Sequence, residues 1–149
     1  VHASRLSILE RVPEFNYEAS NCVVEAPKHA IVDMHRVRGD SVEKYKESIR
    51  SLLGAVRKVE YPISWSAYRV VVGEGKTFYG EGRIYYYVVP FDSPYQFYEE
   101  HSFAAALYKA LGEDGSKELM FEERSCLLEI EALEHRWRSD MGYMAGKTW

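Results

Sequence analysis

The chain lacks long apolar segments and contains only two cysteines among its 149 residues. Its apolar runs are a few residues long, far short of the roughly 20 that span a bilayer, so we expect a soluble protein. Cys22 and Cys126 are far apart and show no CxxC spacing, so a thioredoxin-type motif or zinc site is not indicated. Two interpretations stay open for them: buried free thiols or, in an exported protein, one long-range disulfide.

Positive charge is also scarce. The chain has 19 Lys and Arg against 23 Asp and Glu, a net charge of -4. This balance gives no general attraction to phosphate backbones or anionic lipid, so we expect no nucleic-acid partner. The first residues, Val1 to Ala3, loosely resemble the end of a secretory signal, but trimming explains the missing Met equally well. The compartment stays open, with a cytoplasmic location favoured over export.

The common catalytic and metal motifs are missing as well. No serine lies in a GxSxG elbow and neither cysteine has a base beside it, so nucleophilic catalysis has no support. His101, Glu131 and His135 can be drawn as a metal site between two helices, but their spacing supplies too few ligands. The GEGKT run at 73–77 ends like a phosphate-binding loop, yet a strand follows it, so we interpret it as a hairpin loop. We therefore expect neither a metal nor another cofactor.

The size and composition of the chain are those of one globular domain. Hydrophobic residues make up 46% and charged residues 28%, which argues against a disordered or low-complexity protein. A chain of this length can bury a sufficient core without metals or disulfides. We divide it into an N-terminal arm (1–28), a single α+β domain (29–137) and a C-terminal tail (138–149).

Two runs rich in β-branched and aromatic residues, 65–72 and 83–89, lie on either side of a glycine-rich connector. They predict two antiparallel strands joined as a long hairpin. His29–Val37 alternates between two kinds of residue, which predicts a third strand. One face of it is apolar (Ala30, Val32, Met34) and the other is mixed (Ile31, Asp33, His35, Val37).

Helical spacing of apolar residues predicts a first helix from Asp40 to about Glu60, with Asp40 and Glu43 as a capping pair. Its apolar stripe consists of Val42, Tyr45, Ile49, Leu52, Leu53, Val56 and Val59. A serine cap followed by proline predicts a second helix over 94–111, ended by Gly112. A third helix is predicted over 114–137. In the N-terminal arm, 5–12 has a short helical pattern and 22–26 permits an edge strand.

This order of elements, strand, helix, strand, strand, helix, helix, resembles the ferredoxin-like folds of the dimeric α+β barrel superfamily, which includes antibiotic-biosynthesis monooxygenase-like and NIPSNAP-like proteins. The resemblance covers residues 29–137 and rests on the order and lengths of the elements. It implies a ferredoxin-like antiparallel sheet with helices on one face, and a homodimer that closes a barrel. The chain departs from the pattern in one respect, because the usual fourth strand falls where a third helix is predicted.

A candidate site follows from the alternation in the strands. Asp33 and His35 are two residues apart and project to the same side, where a carboxylate can orient an imidazole. Neighbouring strands add an aromatic wall and a cation if their polar-bearing sides coincide: Trp65, Arg69, Tyr85 and Tyr87. We place this group on the sheet face opposite the helices, where it has the composition of a pocket. The alternative is that these residues face water or form salt bridges across a dimer interface.

Two functions from different classes are consistent with this sequence. The first is a homodimer that binds an apolar or aromatic small molecule on its sheet face through Trp65, Tyr85 and Tyr87. The resemblance extends it to a cofactor-independent oxygenase or isomerase, with His35 as base, Asp33 as its orienter and Arg69 stabilising an oxyanion. The second is a non-catalytic protein whose aromatic sheet face is a protein–protein interface.

Overall fold

The structure, a computed structural model, describes residues 8–72 and 83–136 and has an α+β fold. Short 3₁₀ turns occur at Pro13–Phe15 and Gly39–Ser41, and a π-helical turn at Gln96–Glu100. The longer elements are β1 (Ile8–Arg11), β2 (His29–Val37), α1 (Val42–Lys58), β3 (Ser66–Val72), β4 (Arg83–Phe91), α2 (Phe103–Ser125) and β5 (Leu127–Arg136).

The strands form one five-stranded antiparallel sheet in the order β1-β3-β4-β2-β5. The antiparallel sheet and the strands predicted around 29–37, 65–72 and 83–89 are confirmed. The interior strand β2 pairs with β4 on one side and with β5 on the other. In this register Asp33 lies between Tyr87 and Ala132, while His35 lies between Tyr85 and Ile130.

The helices cover the sheet face that carries His35, which corrects the prediction that this face lies opposite them. The buried core joins this face to both helices; it includes Val37, Trp65, Tyr85 and Tyr87 from the sheet and Tyr45, Leu53, Val56 and Leu107 from the helices. The prediction assigned the face with polar residues to the solvent. Three large aromatic side chains on that side bury more apolar area than Ala30, Val32 and Met34, and they decide which face forms the core.

Helix α1 confirms the predicted stripe, since Tyr45, Ile49, Leu53 and Val56 are all buried. The predicted capping pair is wrong. The Asp40 carboxylate accepts a hydrogen bond from the Ser41 hydroxyl, and Glu43 pairs with Lys46 instead of reaching back. The residues before α1 form the 3₁₀ turn, so the chain enters the helix without a side-chain cap.

Helix α2 begins and ends later than predicted. Its N-cap is Ser102, whose hydroxyl accepts a hydrogen bond from the Ala105 amide. Gly112 interrupts α2 where the prediction placed a helix end: its backbone is non-helical and separates two helical segments, and its φ of 75° lies in the left-handed region that glycine adopts without a Cβ clash. Within the described parts of the chain, neither α1 nor α2 is long and apolar enough to cross a membrane.

The strand β5 replaces the second half of the predicted third helix and supplies the strand that seemed to be missing. Its Leu, Glu and Ala residues favour helices, and their spacing also fits a helical stripe. Pairing with β2 overrides that preference, because the free edge of β2 needs partners for its backbone N–H and C=O groups. The predicted tail, 138–149, lies outside the described residues.

The N-terminal arm also differs from prediction. Residues 8–11, predicted as part of a short helix, form β1 and pair with β3. The predicted edge strand at 22–26 does not form; the Glu25 and Ala26 amides donate to the Asp92 carboxylate. Both cysteines are free, with Cys126 buried and Cys22 exposed, so the disulfide alternative is wrong and only Cys126 fits the buried-thiol interpretation.

Two adjacent leucines of α1 test this arrangement of core and helix. Leu53 is 2% exposed in the core, whereas Leu52 is only partly buried. Leu53→Ala should lower the free energy of unfolding by about 2–5 kcal/mol through lost transfer energy and the space left behind. Leu52→Ala should cost clearly less. Urea unfolding of both variants checks this, and equal losses would contradict the helix orientation.

Candidate functional site

A cavity of about 300 Å³ lies between the helices and the sheet face they cover. Its apolar lining comes from both layers and includes Ile31, Ile49, Leu52, Tyr61, Trp65 and Phe103. Four charged or titratable residues also reach it: Asp33, His35, Glu123 and Arg124. The cavity is therefore mostly apolar, with polar groups concentrated at one part of its wall.

The polar part of the wall is a group of five side chains, Asp33, His35, Tyr45, Tyr87 and Glu123, which we call the His35 cluster. The Nε2 atom of His35 lies 3.1 Å from the Asp33 carboxylate. Its Nδ1 atom lies 2.8 Å from the Tyr45 hydroxyl and 3.1 Å from the Glu123 carboxylate. The Tyr45 and Tyr87 hydroxyls are 2.7 Å apart. Both ring nitrogens of His35 are thus engaged.

The fold assembles the His35 cluster from four elements. Asp33 and His35 lie two apart on β2 and so share a face, and antiparallel pairing brings Tyr87 of β4 opposite Asp33. Tyr45 comes from the first turn of α1, and Glu123 from the last turn of α2. The cluster therefore depends on the packing of both helices on the sheet.

Two opposing effects set the pKa of His35. Burial favours the neutral imidazole, but hydrogen bonds and charge from Asp33 and Glu123 outweigh burial and raise the pKa from 6.5 to about 9. His35 is therefore an imidazolium at neutral pH: Nε2–H donates to the Asp33 carboxylate, and Nδ1–H is shared between the Tyr45 hydroxyl and the Glu123 carboxylate. In that state it has no free lone pair, so this geometry does not favour the predicted role of His35 as a base.

The tyrosines of the cluster stay neutral over the same pH range. Burial raises the pKa of the Tyr45 hydroxyl well above 10, and burial likewise raises the pKa of Tyr87. Each hydroxyl can donate one hydrogen bond and accept others. The two groups are thus fixed hydrogen-bonding partners for His35 and for each other.

Asp33 is the member of the cluster with unused hydrogen-bonding capacity. Its side chain is 30% exposed, against 8% for His35 and 6% for Glu123. A carboxylate can accept about four hydrogen bonds. Within residues 8–72 and 83–136, His35 alone donates to it, and its Oδ1 atom is shielded from solvent without a partner. The partly exposed side chain of Asp33 borders the cavity, so its carboxylate can accept a further hydrogen bond there through Oδ2, the oxygen that also accepts from His35, and not through the shielded Oδ1.

The structure brings four of the six predicted site residues to the cavity: Asp33, His35, Trp65 and Tyr87. The Trp65 indole N–H donates to the backbone carbonyl of Phe15 at 2.9 Å. This bond fixes the ring, so Trp65 contributes its apolar surface to the wall. The wall faces the helices and not, as predicted, the opposite side of the sheet.

The other two predicted residues do not reach the cavity. Arg69 pairs with Glu10 of the edge strand β1, and its side chain is 42% exposed. Tyr85 is 2% exposed and stacks on Tyr45, with ring centroids 5.3 Å apart. The geometry places Arg69 in a surface ion pair and Tyr85 in the core, which leaves no support for the oxyanion role of Arg69.

Glu123 and Tyr45 complete the site but were not predicted as site residues. Tyr45 was interpreted as part of the apolar stripe of α1, where a hydrophobic residue serves equally well. Glu123 carried a usable signal: it falls at helical spacing between Leu119 and Cys126, so its carboxylate lies on an otherwise buried stripe. A charged residue at such a position is buried only with partners.

The described part of the chain contains no group of three or more His, Cys, Asp or Glu residues suited to a metal ion. His135 and Glu131 lie on β5 and not on a helix, so the two-helix metal site considered above does not form. Comparisons with protein-family models, curated proteins and solved structures found no match in any of the three.

The raised pKa of His35 predicts how stability depends on pH. Because the folded pKa, about 9, lies above the unfolded value of 6.5, proton binding stabilises the fold. This contribution is complete below about pH 6.5 and is lost as the pH rises through about 9, at most about 3 kcal/mol. Urea unfolding between pH 6 and about 10 should show this loss in the parent protein but not in His35→Gln. Parallel pH profiles of the two proteins would contradict it.

Proposed function

We propose that this chain binds a small apolar or aromatic molecule in the cavity between sheet and helices, with the His35 cluster at its polar end. The observation that carries the proposal is an apolar cavity whose wall contains a buried, charged hydrogen-bonded group. Its volume of about 300 Å³ lies at the lower end of the range for ligand pockets. Since an apolar cavity of about 150 Å³ holds benzene, a ring with a short substituent fits.

A purely structural role accounts poorly for this combination. Protein interiors are normally close-packed, so a pocket of this size, which opens to solvent beside the exposed residues Ile130 and Ala132, gives up dispersion contacts and leaves apolar surface in contact with water. Taking an imidazolium and two carboxylates out of water is also costly, and hydrophobic replacements of buried ion groups are often more stable. Both costs fall on the same site, as expected where binding requires a preformed pocket.

The catalytic form of this proposal, a cofactor-independent isomerase or oxygenase, requires different roles from those first predicted. The Asp33 carboxylate, with free acceptor capacity, is the group placed to take a proton from a bound molecule. The His35 imidazolium would then stabilise negative charge that develops nearby. Neither role needs Arg69.

We also propose that the fold is ferredoxin-like with one added strand. Elements β2 to β5, with their two helices, follow a β-α-β-β-α-β order. Without β1, the sheet order is β3-β4-β2-β5, in which the first and third of these strands are neighbours. The added strand β1 extends the sheet beside β3. This arrangement supports the proposed relation to dimeric α+β barrel proteins.

The sheet face away from the cavity, here called the outer face, supports the proposed homodimer. Pairing places Val32, Met34, Tyr68, Tyr86 and Val88 on this face, and all five are partly exposed. Apolar surface of this kind is commonly buried by association. It is also the observation that favours the second candidate function, a non-catalytic interaction module.

Light scattering at micromolar concentration should give a mass twice the 17.3 kDa of one chain. Tyr86→Lys should shift the mass toward that of a monomer, because a charge would be buried at the interface. A monomer mass for the parent protein would contradict the dimer. It would leave the cavity in place, since residues of a single chain line it.

Indole is the probe that tests binding in the cavity. Two variants, each with a substitution at one of two neighbouring residues of β5, locate the binding site. Ala132 lines the cavity, whereas Leu133 pairs with Val32 on the outer face. Ala132→Trp should fill the cavity and abolish indole binding, while Leu133→Trp adds the same ring outside it and should retain binding. Saturation-transfer NMR measures binding, and unfolding midpoints confirm that both variants fold.

Absence of indole binding to the parent protein would contradict the proposed function. So would equal binding to the two variants, since that would place the indole elsewhere. Loss of binding in Leu133→Trp alone would favour the outer face, and with it the interaction module.

A further inference from the structure

The charged side chains around the cavity differ in sign and in exposure to solvent. Asp33 and Glu123 carry one negative charge each, and the His35 imidazolium between them carries one positive charge, so the cluster is an anion overall. Arg124 also lines the cavity, but it is exposed at the end of α2, where water screens its charge. A molecule inside the cavity therefore meets net negative charge at the cluster.

The hydrogen bonds of the cluster leave acceptors but few donors. The Nε2–H group of His35 is directed to Asp33, and its Nδ1–H group is shared between the Tyr45 hydroxyl and the Glu123 carboxylate. The bond between the Tyr45 and Tyr87 hydroxyls uses one of their two protons, so one hydroxyl proton remains as a donor. The remaining charged group at the cavity is the partly exposed Asp33 carboxylate. Its Oδ1 atom has no partner in the described part of the chain, and a desolvated acceptor left unpaired costs free energy.

These features discriminate between ligands that share the same apolar body. A carboxylate on the ligand would be repelled by the two carboxylates of the cluster, and the nearest guanidinium in the lining, that of Arg124, is exposed and screened by water. A purely apolar ligand would displace water from Asp33 without replacing its hydrogen bonds. A protonated amine would instead donate a charge-assisted hydrogen bond to Asp33, which lines the cavity.

We infer that the ligand of this cavity is an amine: a compact apolar or aromatic body, about one ring in size, carrying a protonated nitrogen that binds to the Asp33 carboxylate. The inference rests on the proposed function and adds the chemical class of the ligand. Asp33 provides the ion pair, the apolar wall holds the body, and the His35 imidazolium holds the Asp33 and Glu123 side chains in place.

Three matched probes test the class directly. They are 2-phenylethylamine, 2-phenylethanol and 3-phenylpropionate, which share a phenyl ring and a short chain but are cationic, neutral and anionic at pH 7. Isothermal titration of the parent protein should show the amine binding about tenfold more tightly than the alcohol, with the carboxylate weakest. This comparison needs no variant, so it does not depend on whether a mutant folds.

A charge-matched pair of variants locates the interaction. Asp33→Asn should weaken amine binding by about tenfold and leave alcohol binding within about twofold, because only the amine uses the negative charge. Glu131→Gln removes the same charge from the outer face, where Glu131 is paired with Met34, and should change neither affinity.

The outcomes separate this inference from the function on which it rests. If the alcohol or the carboxylate binds as tightly as the amine, or if Asp33→Asn keeps full amine affinity, the amine inference is overturned. Indole binding that is lost in Ala132→Trp would in that case still support the cavity as a binding site. If neither indole nor any phenyl probe binds, both proposals are overturned.

Discussion

The buried contact between His35 and its two carboxylates is the constraint on which the rest of this structure depends. An imidazolium away from water must direct both N–H groups to acceptors, and here the acceptors come from β2 and from α2. Tyr45 adds α1 through Nδ1, and Tyr87 adds β4 through Tyr45. A shift of α2 would leave a buried charge without one of its partners, a loss of several kcal/mol, and a shift of α1 would remove the hydrogen bond to Tyr45.

The same contact limits how well the core can pack. Side chains around the His35 cluster must leave room for its polar atoms. The adjoining wall consists of aromatic residues; the centroid of the Tyr87 ring, for example, lies 5.1 Å from that of the imidazole. The result is a cavity bordered by fixed charge on one side and apolar rings on the other. Such a preorganised, partly desolvated group interacts more strongly with a ligand than it could in water.

Local patterns predicted the parts of the fold in which one signal dominates. The stripe of α1 and the β-branched runs of β2, β3 and β4 were recognisable because period and propensity agree there. In β5, Leu, Glu and Ala favour a helix, and only the unpaired edge of β2, a tertiary effect, turns 127–136 into a strand. The sheet face that the helices cover was predicted incorrectly for a related reason. The prediction followed side-chain polarity and not the apolar area that Trp65, Tyr85 and Tyr87 bury.

Local patterns predicted four residues of the site and missed two. Spacing alone placed Asp33 and His35 side by side, and strand pairing brought Tyr87 and Trp65 to the same wall. Arg69 lies on the same side of the sheet, but it pairs with Glu10 of β1. This partner was not predictable, because residues 8–11 were predicted to form a helix. Tyr45 and Glu123 come from the two helices, and no local sequence pattern shows how close these helices lie to β2.

The most direct test of this account is an NMR titration of the His35 side-chain nitrogens. His35 should be an imidazolium at pH 7, with both ring nitrogens protonated and a midpoint near pH 9. A neutral His35 at pH 7, with one unprotonated ring nitrogen, would contradict it, because the carboxylates would then not be holding the charge on which the site depends.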